Sequence, residues 1–191
     1  MILLSSHKDT VKHDYALSYE KGVHMGLLDN FIGILVSYLT IYDDKSLIEL
    51  EKQGKIRIWH GDGEEFGLLR DYPKMTKKDL VVVVDVADGP VYKNVDISLE
   101  NISGISDKQI KEWKESLEWE GFKVLTKKYT GKPDDEDEAW KWRELGIPVL
   151  SFIIPINCGK EYQWHTDNCE ISSEGVLKAR QILKRFLCYA I

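Results

Sequence analysis

Short apolar runs recur along the chain with the patterns that are typical of β-strands. Residues 2–6 and 80–86 form largely apolar runs, and charged and apolar residues alternate over 55–60. The 80–86 run is apolar at both parities, which indicates a central strand that is covered on both faces. Two later stretches, 121–126 and 147–154, are also predicted to be strands. The five stretches together predict a sheet.

Between these runs, apolar residues recur at the three- and four-residue spacing of amphipathic helices. This spacing, with start signals such as a Ser or an acidic first turn, predicts helices at 30–42, 106–119, 134–145 and 172–189, and a helix or turn at 46–53. The stretch 8–28 is polar and contains Gly22 and Gly26, so it is predicted to be a loop. Strands that alternate with helices predict an α/β fold with a layered sheet.

Charge and apolar run length exclude several classes of partner. The net charge is −6, from 26 Lys and Arg against 32 Asp and Glu, and no basic stripe is present. Nucleic acid and anionic membrane are therefore not expected as partners. No apolar run approaches the ~20 residues that a membrane-spanning helix needs. No signal peptide follows Met1, which predicts a cytoplasmic protein.

The cysteines agree with a reducing compartment. The chain has three of them, Cys158, Cys169 and Cys188, without C-x-x-C spacing. An odd number without that spacing argues against a disulfide framework and against a zinc site made of thiolates. We therefore expect the three thiols to be reduced.

Three predicted strands end at, or lead into, side chains that can bind a metal. His7 follows the first strand, Glu64 and Glu65 follow the 55–60 strand, and Asp85 ends the apolar run that begins at Leu80. If the strands are parallel neighbours, their carboxyl ends meet at one edge of the sheet, where open α/β sheets place their functional crevice. These four side chains are therefore expected to converge.

Two further side chains complete the candidate site. Asp29 begins the helix predicted at 30–42, and His165 follows the strand predicted at 147–154. Imidazoles and carboxylates without a thiolate suit a catalytic zinc, cobalt or manganese ion. Each residue alone also has an ordinary explanation, such as a helix N-cap for Asp29 or a strand-end loop cap for Asp85. Their order and combination favour the metal site, and five ligands suffice for two metals ~3.5–4 Å apart.

The order of these residues matches a known pattern. The pattern comprises His7-x-Asp9, Gly26-x-x-Asp29-Asn30-x-x-Gly33, Gly63-Glu64-Glu65-x-Gly67-Leu68, Asp85, Gly146-Ile147-Pro148-Val149 and His165. It resembles the di-zinc exopeptidases of the bacterial leucyl aminopeptidase and glutamate carboxypeptidase type. The resemblance spans residues 7–165. It implies a three-layer, phosphorylase/hydrolase-like sandwich with a mostly parallel mixed sheet and helices on both faces, as a single metallopeptidase-like catalytic domain over 1–191.

The resemblance also implies a role for each metal ligand. His7 and Asp85 would bind one of two divalent ions, expected to be Zn²⁺ with Co²⁺ or Mn²⁺ as alternatives. Glu65 and His165 would bind the other ion, and Asp29 would bridge the pair. His7 is favoured over His13 and His24 as a ligand because it ends a strand and has an Asp two residues on.

Two carboxylates are implied in catalysis without binding metal. Asp9 would hold the tautomer of His7. Glu64 would be the general base that takes a proton from a metal-held water and passes it to the leaving amine. The family often has a cis peptide after the bridging Asp, here Asp29–Asn30. Asp62 and Asp167 are candidates for contacting a substrate α-amino group.

The implied function is hydrolysis of peptide or amide bonds by an aminopeptidase. Two alternatives stay open: a deacylase or amidase of N-acyl amino acids with the same site, and a non-catalytic metallopeptidase-like binding module. The expected substrate is a small peptide or an N-acyl amino acid.

The chain departs from the family in what surrounds the site. It begins almost at His7, and His7 and Asp29 are only 22 positions apart. It is therefore expected to be a minimal form without the family's N-terminal elements or a lid domain. A sheet edge left unpaired by that shortening could be covered in a homo-oligomer.

Overall fold

The computed structural model describes residues 1–8, 17–61, 72–129, 138–158 and 168–191. The strands are β1 (Ile2–His7), β2 (Leu17–Glu20), β3 (Val23–Gly26), β4 (Ile56–Gly61), β5 (Leu80–Ala87), β6 (Ile97–Ser103), β7 (Val124–Lys128), β8 (Val149–Pro155) and β9 (Cys169–Ser172). The helices are α1 (Phe31–Tyr42), α2 (Lys45–Lys52), α3 (Asp107–Trp119), α4 (Glu138–Glu144) and α5 (Ser173–Ala190).

Six strands form one mixed sheet in the order β4-β1-β5-β8-β6-β7. The first four run parallel to one another, β6 runs antiparallel to β8, and β7 is parallel to β6. The predicted mostly parallel mixed sheet is confirmed, and β1, β4 and β5 are parallel neighbours in it. Their carboxyl ends consequently lie at one edge of the sheet, which we call the carboxyl edge.

The two faces of the sheet bury separate apolar clusters. One face packs against α1, α2, α3 and α5 through residues such as Val36, Trp113 and Phe186. The other face packs against α4, where Trp142 is fully buried. Helices on both sides of a mostly parallel sheet confirm the predicted α/β fold. Among the described residues, no helix combines the length and the apolar character needed to span a membrane.

Four of the helices begin directly after a residue whose side chain caps the first turn. Asn30, Asp44, Ser106 and Ser172 each accept a hydrogen bond from a main-chain N–H in the first turn of the helix that follows. Such caps satisfy N–H groups that have no partner within the helix. The predicted helix at 134–145 is described as α4 from Glu138 onward, and its first residues lie outside the described ranges.

The prediction of a loop over 8–28 is wrong for its second half. β2 and β3 form a hairpin there, turned by Lys21 and Gly22 at positive φ, and β9 pairs with β3 to make a second, three-stranded sheet. β6 and β9 were likewise not predicted. All four positions of β2 are exposed, so its sequence carries no apolar pattern that would indicate a strand.

The expectation of three reduced cysteines is also wrong. Cys158 and Cys169 form a disulfide, and Cys188 is free and exposed. The two half-cystines are brought together by an antiparallel bridge between their neighbours Asn157 and Glu170. Eleven residues separate them in sequence, and no spacing motif reveals a pairing that depends on this bridge.

Candidate metal centre

Three of the predicted metal ligands meet at the carboxyl edge. His7 Nε2 lies 3.0 Å from Asp29 Oδ1 and 3.9 Å from Asp85 Oδ1. One ligand atom from each of the three residues lies within 4.8 Å of the other two. In the described part of the chain, this is the one group of three or more His, Cys, Asp or Glu side chains with such spacing.

The register of the sheet places two of these side chains next to each other. Ser5 of β1 is opposite Val83 of β5, so extending the parallel register by two residues brings His7 beside Asp85. Both side chains share the parity of Leu3 and Val83, which face α4. The neighbouring strands β1 and β5 therefore deliver an imidazole and a carboxylate side by side on one face.

Asp29 reaches the same place from the start of α1. The next residue, Asn30, donates a hydrogen bond from Nδ2 to the carbonyl of Val84 at 2.7 Å. Asn30 Oδ1 accepts a hydrogen bond from the Gly33 N–H at 2.9 Å, which caps α1. One side chain therefore ties the first turn of α1 to the residue that precedes Asp85. The peptide bond between Asp29 and Asn30 is cis, as the resemblance implies.

Gly33 makes this close approach possible. A Cβ at position 33 would lie 2.1 Å from Asn30 Oδ1 and 2.2 Å from the Val84 carbonyl oxygen. Both distances are well inside van der Waals contact, so no side chain fits there. The Gly-x-x-Asp-Asn-x-x-Gly motif thus has a structural explanation, in which Asn30 holds Asp29 near β5 and Gly33 leaves room for Asn30.

The donor set fits a divalent cation. His7 is 2% exposed and Asp29 is 4% exposed. Burying a carboxylate close to a second one is costly unless positive charge compensates for lost hydration and mutual repulsion. A cation between the imidazole nitrogen and the carboxylate oxygens would supply that charge. Nitrogen and oxygen donors without sulfur suit zinc, cobalt or manganese.

The other predicted site residues, Asp9, Glu64, Glu65 and His165, lie outside the described ranges, as do His13, Asp62 and Asp167. The strands that precede three of them still carry information. β4 ends at Gly61, directly opposite His7, and β8 runs parallel to β5 and ends at Pro155. The chain therefore leaves both strands at the carboxyl edge on its way to Glu64, Glu65 and His165.

Two other described histidines are not members of the three-residue group. His24 belongs to β3 and packs against the ring of Tyr19, with 4.8 Å between ring centroids. His60 belongs to β4 and packs against Tyr38 of α1 at 5.3 Å. Burial lowers the pKa of His60, and the charge of Lys8 works in the same direction.

Sequence reasoning missed what Asn30 and Gly33 do, although it found the motif that contains them. The hydrogen bond from Asn30 joins residues 54 positions apart. The available signal was the combination of an N-cap Asn with a Gly three residues later. Such a pair favours a helix start that approaches another backbone closely.

Comparison with known proteins finds likeness in structure rather than in sequence. No protein-family model matches the sequence, and no curated protein matches it. A TET aminopeptidase from a marine-sediment thaumarchaeon has a TM-score of 0.58 and 17% identity, covering 89% of this chain and 51% of its own. Aminopeptidase I from Clostridium acetobutylicum gives 0.57 and 16%, covering 89% and 45%. The TET1 peptidase of Pyrococcus horikoshii gives 0.54 and 13%, covering 93% and 53%.

These comparisons establish the fold. The chain spans about half the length of the solved structures that it matches. All of these proteins are peptidases by name, and two are named as aminopeptidases. At this level of identity, the comparisons show that the architecture of the sheet is shared with these proteins. They do not show the activity, which is inferred from the residues of the site.

Proposed function

We propose that the protein is a metal-dependent hydrolase of peptide or amide bonds, and specifically an aminopeptidase. The observation that carries the proposal is the convergence of His7, Asp29 and Asp85 at the carboxyl edge of the sheet. These residue types suit a catalytic divalent metal. The likeness of the fold to that of named aminopeptidases supports the choice of peptide bonds.

We propose two divalent ions at this site, with zinc as the first candidate and cobalt or manganese as alternatives. His7 and Asp85 would hold one ion, Asp29 would bridge the pair, and Glu65 and His165 would hold the other. Bound ions of this kind supply an acidified water and polarisation of a carbonyl. Each of the five predicted ligands would thereby bind one of the two ions or both.

The chain's own groups would then move the proton. Glu64 would accept a proton from the attacking water and deliver it to the nitrogen of the leaving amine, since a carboxylate beside an acidified water acts as an efficient general base. Asp9 would hold the imidazole of His7 in the tautomer that leaves one nitrogen available as a ligand. Asn30 would keep Asp29 in place through its hydrogen bond to Val84.

The proposal is tested by hydrolysis of aminoacyl naphthylamides and short peptides by protein loaded with zinc or cobalt. We expect release of the amine from substrates with an unblocked amino terminus. Glu64→Gln should abolish the activity and keep the metal, whereas Asp29→Ala should lose both. Glu64→Gln protein that stays active would overturn the role of Glu64. The exposed-thiol variant Cys188→Ser serves as a matched control and should behave as wild type.

Substrate blocking separates the two enzyme hypotheses. Release of product from N-acyl amino acids, with no cleavage of peptides that have an unblocked amino terminus, would favour a deacylase or amidase. Retained metal without hydrolysis of either substrate class would favour the binding module and overturn the aminopeptidase proposal.

We also propose that the chain is a catalytic domain that assembles as a homo-oligomer. The related TET1 peptidase of Pyrococcus horikoshii can assemble into a tetrahedron or a large octahedral shell. Here β4 and β7 are the edge strands of the six-stranded sheet, and exposed strand edges favour association. Light scattering of the purified chain should give a multiple of 22.1 kDa. A monomer across the accessible concentration range would contradict this proposal.

A further inference from the structure

We propose that the disulfide between Cys158 and Cys169 is a positioning cross-link for the metal centre. It joins the segment beside Asp85 to the segment that leads into Asp29. The inference rests on the proposed metal site and adds residues to it that bind no metal themselves.

On one side, Cys158 is anchored to the strand that carries Asp85. β8 pairs with β5, and Ile153 lies opposite Asp85. The pairing continues beyond the strand, because the Ile156 N–H donates to the carbonyl of Ala87 at 3.0 Å. Cys158 follows two residues later and is buried. Its backbone is therefore fixed close to the carboxyl end of β5.

On the other side, Cys169 is anchored to the strand that leads into Asp29. Cys169 begins β9, and its register partner in β3 is Gly26. Gly26 stands three residues before Asp29, and Leu27 and Leu28 between them are fully buried. The small sheet therefore transmits the position of Cys169 to Asp29 through two buried residues.

Hydrogen bonds between described residues also join the two segments directly. Asn157 and Glu170 exchange two main-chain hydrogen bonds, of 3.0 and 2.7 Å, and Asn157 Nδ2 donates to Glu170 Oε1 at 2.8 Å. A single bridge of this kind is exposed to competition from water at its side-chain bond. The disulfide next to it makes the same connection covalent.

This arrangement predicts that loss of the disulfide weakens metal binding as well as the fold. Residues that orient metal ligands without touching the metal typically change affinity 10–100-fold when they are replaced. We expect the double variant Cys158→Ala with Cys169→Ala to bind cobalt at least about tenfold more weakly than wild type. The control Cys188→Ala removes the third cysteine and should leave the affinity unchanged.

A second comparison separates positioning from general destabilisation. Leu117→Ala removes a fully buried side chain from α3, which packs against β6, β7 and α5 rather than against the ligand-bearing strands. Unfolding of the metal-free proteins gives the stability lost by each variant. The double cysteine variant should lose cobalt affinity at a stability cost no greater than that of Leu117→Ala, which should keep its affinity.

The experiment is cobalt titration of the metal-free full chain, monitored by visible absorption, after thiol counting by alkylation and mass spectrometry. Denatured, unreduced wild type should react at one cysteine, Cys188. Reaction at three would overturn the proposal, as would equal cobalt affinity of wild type and the double variant. Equal loss of affinity in Leu117→Ala would also overturn it. Wild type that binds no cobalt would overturn the proposed metal site together with the cross-link, whereas cobalt binding without hydrolysis would contradict only the proposed function.

Discussion

Asn30 donates a hydrogen bond to the main-chain carbonyl of Val84, and this one bond joins the two segments that carry Asp29 and Asp85. Each end of the bond is adjacent in sequence to a candidate metal ligand. The same side chain caps α1 through the N–H of Gly33. Local helix capping and the geometry of the candidate site are therefore coupled through a single buried amide.

Replacing Asn30 should separate its two roles. One is to cap α1 through the Gly33 N–H, and the other is to hold Asp29 near β5 through the hydrogen bond to Val84. Asn30→Ala removes the helix cap, which costs about 1 kcal/mol, and leaves the buried Val84 carbonyl without its donor, which costs about 1–3 kcal/mol more. Asn30→Asp keeps an acceptor for the Gly33 N–H but loses the donor to Val84. Both variants should bind zinc more weakly in a calorimetric titration.

The matched control for Asn30 is the cap of a helix distant from the site. Ser106 Oγ accepts a hydrogen bond from the Gln109 N–H at the start of α3. The strand that precedes Ser106 is β6, and β8 separates β6 from the ligand-bearing strand β5. Ser106→Ala should lose about 1 kcal/mol of the free energy of unfolding and keep full zinc affinity. Asn30→Ala protein with the zinc affinity of wild type would refute the role of Asn30 in holding Asp29 near β5.

Gly33 should be intolerant of even one methyl group. In an unhindered helix, Gly→Ala stabilises by about 0.8–1 kcal/mol. Here the added Cβ would meet Asn30 Oδ1 and the Val84 oxygen at 2.1 and 2.2 Å. We expect Gly33→Ala to lower the free energy of unfolding by about 1–3 kcal/mol and to weaken metal binding, as measured by urea denaturation and zinc titration.

Ser37, one turn further along α1, provides the contrast to Gly33. Its buried hydroxyl has no hydrogen-bond partner among the described residues. Ser37→Ala removes an uncompensated polar group, so its effect on stability should be neutral or favourable. A Gly33→Ala protein as stable as Ser37→Ala would show that the approach of α1 to β5 is looser than described.

How far the sequence predicts this fold depends on whether each element carries its own pattern. β1, β5 and β8 are largely apolar runs and β4 lies in an alternating stretch, and these patterns suffice to locate the four strands. β6 escapes prediction because polar residues occupy buried positions in it. Glu100 is buried there because Ser98, Tyr92 and Lys127 surround its carboxylate, at 2.9, 3.0 and 3.2 Å. Lys127 is distant from Glu100 in sequence, so this pairing leaves no local signal.

The candidate site likewise contains parts that the sequence predicts and parts that it does not. His7 and Asp85 could be placed together because parallel strands share a carboxyl edge, and Asp29 joins them through a motif with recognisable glycines. The bond from Asn30 to Val84 and the disulfide between Cys158 and Cys169 could not be foreseen. Both depend on backbone segments that approach each other only in the folded chain.

His60 should make the stability of the metal-free protein sensitive to mild acid. Burial holds the pKa of His60 below its usual value of 6.5. As pH falls below 6.5, the unfolded chain takes up a proton that the native state does not bind, so the native state loses stability. The slope can reach about 1.4 kcal/mol per pH unit until the native pKa is reached.

The variant His60→Leu removes this proton uptake. Urea unfolding between pH 5 and 8, with a chelator present, should show a wild-type stability that falls below pH 6.5 more steeply than that of the variant. Parallel profiles for the two proteins would mean that His60 is protonated equally in the native and unfolded states.

Asp44 should stabilise the junction between α2 and α5. Its carboxylate caps α2 by accepting from the Ser46 and Leu47 N–H groups at 2.8 and 3.2 Å, and it pairs with Lys184 of α5. Lys184 first, and Ser46 next, hold the pKa of Asp44 well below its usual 3.8. The stabilisation is therefore present above pH 3.8 and is lost as pH falls through the lower native pKa.

Two replacements of Asp44 distinguish its contributions. Asp44→Ala should cost about 1–2 kcal/mol in guanidinium unfolding at neutral pH. Asp44→Asn retains the cap and loses only a partly exposed ion pair, so its cost should be at most about 1 kcal/mol. Equal costs for the two variants would contradict the assignment of the cap as the larger contribution.

The number of metal ions bound per chain shows whether His7, Asp29 and Asp85 belong to a two-metal site. The protein would be purified without chelator, equilibrated with zinc, dialysed and analysed for metal per chain, beside Asp29→Ala and the control Ser37→Ala. We expect about two zinc ions per wild-type chain, the same for Ser37→Ala, and a clear fall for Asp29→Ala. Wild-type protein that retains no zinc, or Asp29→Ala protein that retains as much as wild type, would contradict the two-metal site.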